Sequence, residues 1–152
     1  FQPFALFFGT RAWYVVGFHE KRDAIRTLKL SRFIAIESTT LTYEIPISFN
    51  LDTHLGNAWN MIPNDTDYEV ELLFNTPFSQ TVSDTRWHST QQITWHDDDS
   101  CTFTCTVSGL EEIVWWVLSM GPYCKVIKPE LLAQRVAQLA AETAAKYGAA
   151  TV

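Results

Sequence analysis

The chain has 152 residues and a formal net charge of −6, with 47% hydrophobic and 18% charged residues. This length suits one domain or two small ones, and the composition excludes extensive disorder. No apolar run approaches the roughly twenty residues of a membrane span, so we expect no membrane segment. The apolar residues 1–8 lack a preceding basic residue, which favours a buried strand over a signal peptide. Because the chain starts on this strand without Met, we interpret it as part of a longer protein.

The first third of the chain favours a small, curved, antiparallel β unit. Residues 4–8 and 13–18 are rich in β-forming side chains and are separated by a short hairpin turn. Residues 25–34 alternate imperfectly, which predicts a bulged or sharply curved strand, and residues 41–47 predict a further extended piece.

After residue 48 the pattern of apolar residues changes to a spacing of four. Leu51, Leu55 and Trp59 fit a short helix that begins near Asn50 or Asp52 and ends before Pro63. Turn-forming residues follow, so we place a domain boundary near residue 65.

The second part predicts strands at residues 70–74, 91–96, 101–107 and 123–127. A short helix follows the first strand, a capping box at 108–111 starts a second, and Pro129 opens a last helix that runs to about Tyr147. The second helix carries Trp115 and Trp116 in sequence, so they cannot both face the core. The order β-α-β-β-α-β, with one added helix, is typical of a ferredoxin-like fold.

Charge is divided unevenly between these parts. Residues 1–36 hold six basic and two acidic residues, whereas the remainder holds five basic and fifteen acidic. A basic segment beside an acidic one indicates an anionic ligand for the first part. A solvated strand edge protected by Lys and Arg explains the same charges equally well.

Reactive residues show no pattern that predicts catalysis or metal binding. Cys101, Cys105 and Cys124 form no C-x-x-C pair, and we expect reduced, buried thiols, as in a cytoplasmic protein. The four histidines lack ligand spacing, so we expect no metal. No nucleophile, acid and base set is evident, which argues against an enzyme acting on a nucleotide and against a cofactor.

Several short motifs together resemble one known family. Trp13-Tyr14-Val15, followed by Val16-Gly17, resembles the signature of the WYL domain, and residues 1–6 and 26–33 are similar to two of its strands. Residues 86–91, 108–112 and 118–121 resemble the C-terminal extension of such proteins, the WCX domain.

The resemblance implies an α+β protein with three parts. These are part of a Sm-like antiparallel β-barrel over residues 1–48, a connecting helix and linker over 49–65, and a ferredoxin-like WCX domain over 66–152. In bacterial members a winged helix-turn-helix domain upstream binds promoter DNA, the barrel senses nucleic-acid-derived or other anionic ligands, and the extension serves dimerisation or regulation. We therefore expect a cytoplasmic homodimer that contacts promoter DNA only through a helix-turn-helix domain preceding this chain. The first barrel strands should also precede Phe1.

Four basic residues are the leading candidates for ligand binding. Arg26 and Arg32 lie six residues apart, so a regular strand would place both on one face, where guanidinium groups can grip phosphate oxygens in pairs. Lys29 would then lie on the other face unless a bulge turns it, and Arg11 lies at the neighbouring hairpin. The alternative is a set of surface arginines paired with Glu20 or Asp23.

Two further candidates are Tyr14 and Arg86. We expect Trp13 to fill the core and Tyr14 to face outward, where its ring could stack on a base. Arg86 either completes the ligand pocket or is merely exposed beside an anchoring Trp87. The sequence leaves two functions open: a sensor of an anionic effector, either a nucleotide or single-stranded nucleic acid, and a structural dimerisation module without a ligand.

Overall fold

The computed structural model describes residues 1–9 and 11–148, which fall into two compact units, Phe1–Gly56 and Asn57–Val152. Both contain antiparallel sheet, and helices are concentrated in the second, which confirms the α+β class. The division falls directly after Gly56, earlier than the boundary expected near residue 65. No helix among the described residues is long and apolar enough to cross a membrane.

The first unit is built on three antiparallel strands in the order β1-β2-β3. They are β1 (Gln2–Gly9), β2 (Ala12–His19) and β3 (Ala24–Lys29), and 3-10 turns occupy Glu20–Arg22 and Leu30–Arg32. The strand predicted over 25–34 therefore ends at Lys29. Residues 41–47 form no strand, and their side chains are exposed.

Close approach of β1 to β2 explains the glycine that follows the WYL-like motif. A Cβ atom on Gly17 would collide with the carbonyl of Gln2 and lie 2.8 Å from Cα of Pro3. Any larger residue at position 17 would push the two strands apart, which requires glycine there.

The expected roles of Trp13 and Tyr14 are reversed. Tyr14 is 9% exposed and packs against Phe7 with a ring-centroid distance of 5.7 Å, whereas Trp13 is 50% exposed and contacts Phe8. The two residues do point to opposite sides of β2, as alternation requires. Which side is buried depends on packing by other strands, and the local pattern does not encode it.

A short helix, α1 (Leu51–Leu55), closes the first unit. The Asn50 side chain accepts a hydrogen bond from the Thr53 amide at 2.9 Å, so Asn50, one of the two residues expected near the start of the helix, is its N-cap. The helix ends at Leu55, earlier than predicted, so Trp59 lies beyond it and belongs to the second unit.

The second unit is a ferredoxin-like fold with one additional helix. Its strands pair antiparallel in the order β5-β6-β4-β7. The elements in chain order are β4 (Asp67–Phe74), α2 (Phe78–Ser83), β5 (Gln92–Trp95), β6 (Cys101–Ser108), α3 (Ile113–Ser119), β7 (Cys124–Lys128) and α4 (Glu130–Lys146).

The core of this unit lies between the sheet and its helices. Alternate residues of β4 and β6 are buried, including Leu72, Phe74 and Phe103, each with no exposed surface. Trp116 packs at 5.3 Å from Phe103 and 4.7 Å from Trp59 between ring centroids. Trp115 is 60% exposed, so one tryptophan of the pair is in the core and the other is not, as predicted.

The helix predicted to start with a capping box at 108–111 begins later. Helix α3 starts at Ile113, and no side chain caps its N-terminus. Glu112 instead turns away from α3, and its Oε2 accepts hydrogen bonds from the amides of Asn60, Met61 and Ile62 at 3.0, 3.0 and 3.1 Å.

Residues 57–62, here called the connector, are thus fixed to the second unit. The Ser108 amide donates to the Asn57 carbonyl at 2.7 Å, and the Asn57 side chain donates to Asp67 at 2.7 Å. Trp59, only 8% exposed, enters the aromatic core. The connector is therefore an integral part of the second fold.

This arrangement predicts how truncation affects stability. A protein that begins at Asn57 should unfold cooperatively, whereas one that begins at Asp65 should melt at a clearly lower temperature, because it lacks Trp59 and the amides bound by Glu112. Loss of one buried tryptophan costs about 3–5 kcal/mol. Equal melting temperatures in calorimetry would contradict the assignment of the connector to this unit.

Candidate functional site

The first candidate site lies at one end of the three-stranded sheet. Tyr14 of β2 and Lys29 of β3 are direct cross-strand partners, so their side chains lie on the same face. Tyr14 is buried and stacked on Phe7, and Lys29 is half-buried. The sheet therefore places an aromatic ring with a phenolic hydroxyl next to an ammonium group.

Two arginines flank this pair along the chain. Arg11 immediately precedes β2 and has a positive φ of 58°, which marks a tight turn, and its side chain is exposed. Arg32 closes the 3-10 turn that follows Lys29, and this turn contacts β2. Since β2 begins where β3 ends, Arg11, Lys29 and Arg32 belong to the same end of the sheet.

Arg26 is separated from this group, which corrects the predicted arrangement. It is the partner of Gly17 and lies on the face opposite Lys29 and Tyr14. Arg32 is not on the strand, so the expected shared face of Arg26 and Arg32 is absent. The physical reason is that β3 ends in a 3-10 turn, which breaks the two-residue alternation on which the prediction depended.

The alternative of arginines paired with Glu20 or Asp23 is not observed either. Arg26 Nη1 donates to the carbonyl of Ile25 at 2.9 Å, and Glu20 accepts from the Gln2 amide group. Within residues 1–9 and 11–148, no ion pair involves Arg26 or Arg32. Their charges remain available to a ligand.

Arg86 lies in the second unit, in the loop between α2 and β5. Its Nη2 donates to the Ser89 carbonyl at 3.1 Å, and the side chain lines a shallow cavity of about 360 Å³. Trp87 anchors the loop, as the alternative interpretation expected, because its indole donates to the Val82 carbonyl and its ring packs on Trp116. Trp87 therefore holds the loop, and Arg86 faces a concavity lined by residues of the second unit; its expected part in the ligand pocket of the first unit stays a prediction.

Sequence reasoning missed two residues that hold the connector. One is Glu112, whose carboxylate binds three consecutive amides. The other is His88, which is 6% exposed and stacks on Trp59 with an interplanar angle of 6°. No local pattern in the sequence marks either residue, and the Glu112 contacts span about fifty residues.

Burial lowers the pKa of His88, although the nearby backbone of Ala58 and Asn57, which can accept from the imidazole, partly opposes this effect. Its Nδ1 lies 2.9 Å from the Thr90 hydroxyl and accepts from the Thr90 amide. The ring is therefore held in its neutral form by the surroundings that bury it.

This lowered pKa makes the stability of the second unit depend on pH. Below about pH 6.5, the ordinary pKa of histidine, His88 binds a proton in the unfolded chain. In the folded protein its lowered pKa makes this protonation less favourable, so protons favour the unfolded state. The free energy of unfolding should therefore fall as the pH is lowered through about 6.5. Urea denaturation should show a weaker pH dependence for His88→Gln than for the unmodified protein, and identical slopes would contradict this role.

The three cysteines carry free thiols whose pKa is raised by burial. Cys101 and Cys105 are buried on the same face of β6, as predicted, and all three thiols are free. Burial raises the pKa of Cys105 and of Cys124 to about 12, so both stay protonated at neutral pH. No cluster of three or more potential metal ligands occurs in the described part of the chain.

Comparison with known families identifies the same two domains that the short motifs resembled. Residues 66–144 match the WCX domain, and residues 1–38 match the WYL domain. The chain belongs to the WYL-domain regulators that carry a WCX extension. This confirms the family that the short motifs indicated, although Val15 departs from the signature.

One similar solved structure is Proteasome accessory factor B/C (PafBC) of Arthrobacter aurescens. It is 23% identical in sequence, the match covers 99% of this chain and 23% of that chain, and the TM-score is 0.43. The present chain therefore spans less than a quarter of the length of that protein. No curated protein matches the chain.

Proposed function

We propose that this chain is the effector-sensing part of a bacterial helix-turn-helix transcriptional regulator. Its effector would be negatively charged, either a nucleotide or a short single-stranded nucleic acid. The observation that carries this proposal is the Tyr14–Lys29 pair, flanked by Arg11 and Arg32 at one end of the sheet. Clustered ammonium and guanidinium groups can bind the phosphate oxygens of such a ligand, while the buried Tyr14, stacked on Phe7, lies beside Lys29 on the same face of the sheet.

Ligand binding would change the relative populations of the conformations of the regulator. A ligand held between the cationic groups favours the conformations in which they converge, and attached DNA-binding domains in the intact regulator respond to that change. Contact with promoter DNA would come from a helix-turn-helix domain beyond these residues, and the intact regulator would be a homodimer. The chain itself would have no catalytic role.

Three substitutions test the cationic residues of this site. Arg32 can form two parallel hydrogen bonds to a phosphate, which Lys cannot reproduce. Lys29→Ala, Arg32→Ala and Arg32→Lys should each weaken binding of a labelled single-stranded oligonucleotide by about tenfold or more, the effect of losing one charge-assisted hydrogen bond. Fluorescence anisotropy at two salt concentrations measures this effect.

Arg26→Ala is the matched control, because it removes the same charge from the opposite face of β3. It should bind the oligonucleotide with nearly unchanged affinity. Unchanged binding by both Lys29→Ala and Arg32→Ala, with the melting temperature intact, would refute the site. An equal loss in Arg26→Ala would show that overall charge, and not this group of residues, determines binding.

A further inference from the structure

The loop at residues 84–91 of the second unit is organised by one side chain. The side-chain oxygen of Gln91, Oε1, accepts hydrogen bonds from the backbone amides of Trp87 and His88. The side-chain nitrogen, Nε2, donates to the Thr85 carbonyl at 2.9 Å. Trp87 is anchored in the aromatic core at one end of the loop. Side chains on a loop held in this way are already ordered before a ligand binds.

The cavity on this loop has a distinct chemical character. It is lined by Ser83, Asp84, Thr85, Arg86 and Gln91, residues that include one guanidinium, one carboxylate and two hydroxyl groups. Arg86 uses Nη2 to bind Ser89, and among the described residues its other N–H groups have no partner. Asp84 accepts from Gln80 Nε2 through both oxygens at 2.9 Å, which fixes its carboxylate at the cavity wall.

We propose that this cavity is a second ligand site, for a small phosphate that carries neighbouring hydroxyl groups, as in a sugar phosphate. Arg86 binds the phosphate through the N–H groups that Ser89 leaves free. Asp84 accepts a hydrogen bond from a ligand hydroxyl, and its negative charge disfavours a bare phosphate. This site is separate from the residues of the first unit and does not rest on the function proposed for them.

Ligand binding in the cavity should stabilise the connector. His88 follows Arg86 by two residues in the same loop, and its ring stacks on Trp59 of the connector at a centroid distance of 5.7 Å. The backbone of Asn57 and Ala58 also lies close enough to the His88 ring to affect its pKa. A ligand that further orders the loop would therefore slow the opening of the connector, which joins the two units.

The test is an NMR titration of the full chain with ribose 5-phosphate, inorganic phosphate and ribose. Ribose 5-phosphate should cause saturable shifts at the amides of Trp87 and His88, with weaker binding of inorganic phosphate and none of ribose. Arg86→Ala should weaken ribose 5-phosphate binding by about tenfold or more. Hydrogen exchange at the amides of Asn60, Met61 and Ile62 should slow in the presence of ribose 5-phosphate.

Two variants make the result specific. Asp84→Asn should raise the affinity for inorganic phosphate while reducing the preference for ribose 5-phosphate. Arg135→Ala removes an exposed guanidinium from α4, outside both sites, and should leave both affinities unchanged. The shifts at the amides of Trp87 and His88 report this cavity alone, so its failure is distinguishable from failure of the site in the first unit. Absence of a saturable shift, or equal affinity in Arg86→Ala, would overturn the proposal, and binding without slower exchange in the connector would overturn the coupling.

Discussion

Phe103→Ala should lower the free energy of unfolding of the second unit by about 4 kcal/mol, the usual cost of removing a buried phenylalanine ring. Phe103 has no exposed surface, and its ring contacts those of Trp59, Phe74 and Trp116. The cavity left behind cannot collapse easily, because strands β4 and β5 fix the backbone on both sides of β6. Chemical denaturation of the chain measures the loss.

Trp115→Ala is the control for this substitution. It deletes a larger aromatic ring from the same unit, but that ring is 60% exposed, so the free energy of unfolding should change by less than about 1 kcal/mol. A similar loss in both variants would show that the aromatic cluster does not form the core.

Glu112→Ala should destabilise the second unit by about 2 kcal/mol, the scale of a hydrogen bond to a charged acceptor. Three amides of the connector lose their common acceptor, and only part of that loss is recovered from water, because Glu112 and Met61 are half-buried. For a domain of this size the melting temperature should fall by about 10 °C.

Two neighbouring variants calibrate this effect. Glu112→Gln keeps one acceptor oxygen without the charge and should lose about half as much stability. Glu111→Ala removes the same charge one position earlier, where the side chain is exposed, and should change stability by less than about 0.5 kcal/mol. Faster hydrogen exchange confined to the connector in Glu112→Ala would locate the defect, and unchanged exchange there would contradict the role of Glu112.

Elements with a strong local pattern could be predicted from the sequence. Alternation along β4 and β6, and the apolar stripe of α3, determine which face of each element is buried, so the ferredoxin-like order follows from local periodicity. Pro129 and Gly148 likewise delimit the last helix to within a few residues. Each of these signals is contained in a window of fewer than twenty residues.

Features that depend on distant residues could not be predicted in the same way. Trp13 and Tyr14 both suit a core position, and only the packing of Phe7 determines that Tyr14 is the buried one. The position of Arg32 depends on where β3 stops, and strand ends are poorly marked by alternation alone. Glu112 is bound to residues about fifty positions away, so no local pattern reveals it.

An NMR titration of the chain with a short single-stranded oligonucleotide tests most directly whether the first unit senses an anionic ligand, as we propose. We predict saturable, salt-sensitive shifts at Arg11, Tyr14, Lys29 and Arg32, with smaller changes at Arg26 on the opposite face. Absence of shifts at this end of the sheet, or shifts confined to the second unit, would contradict the claim.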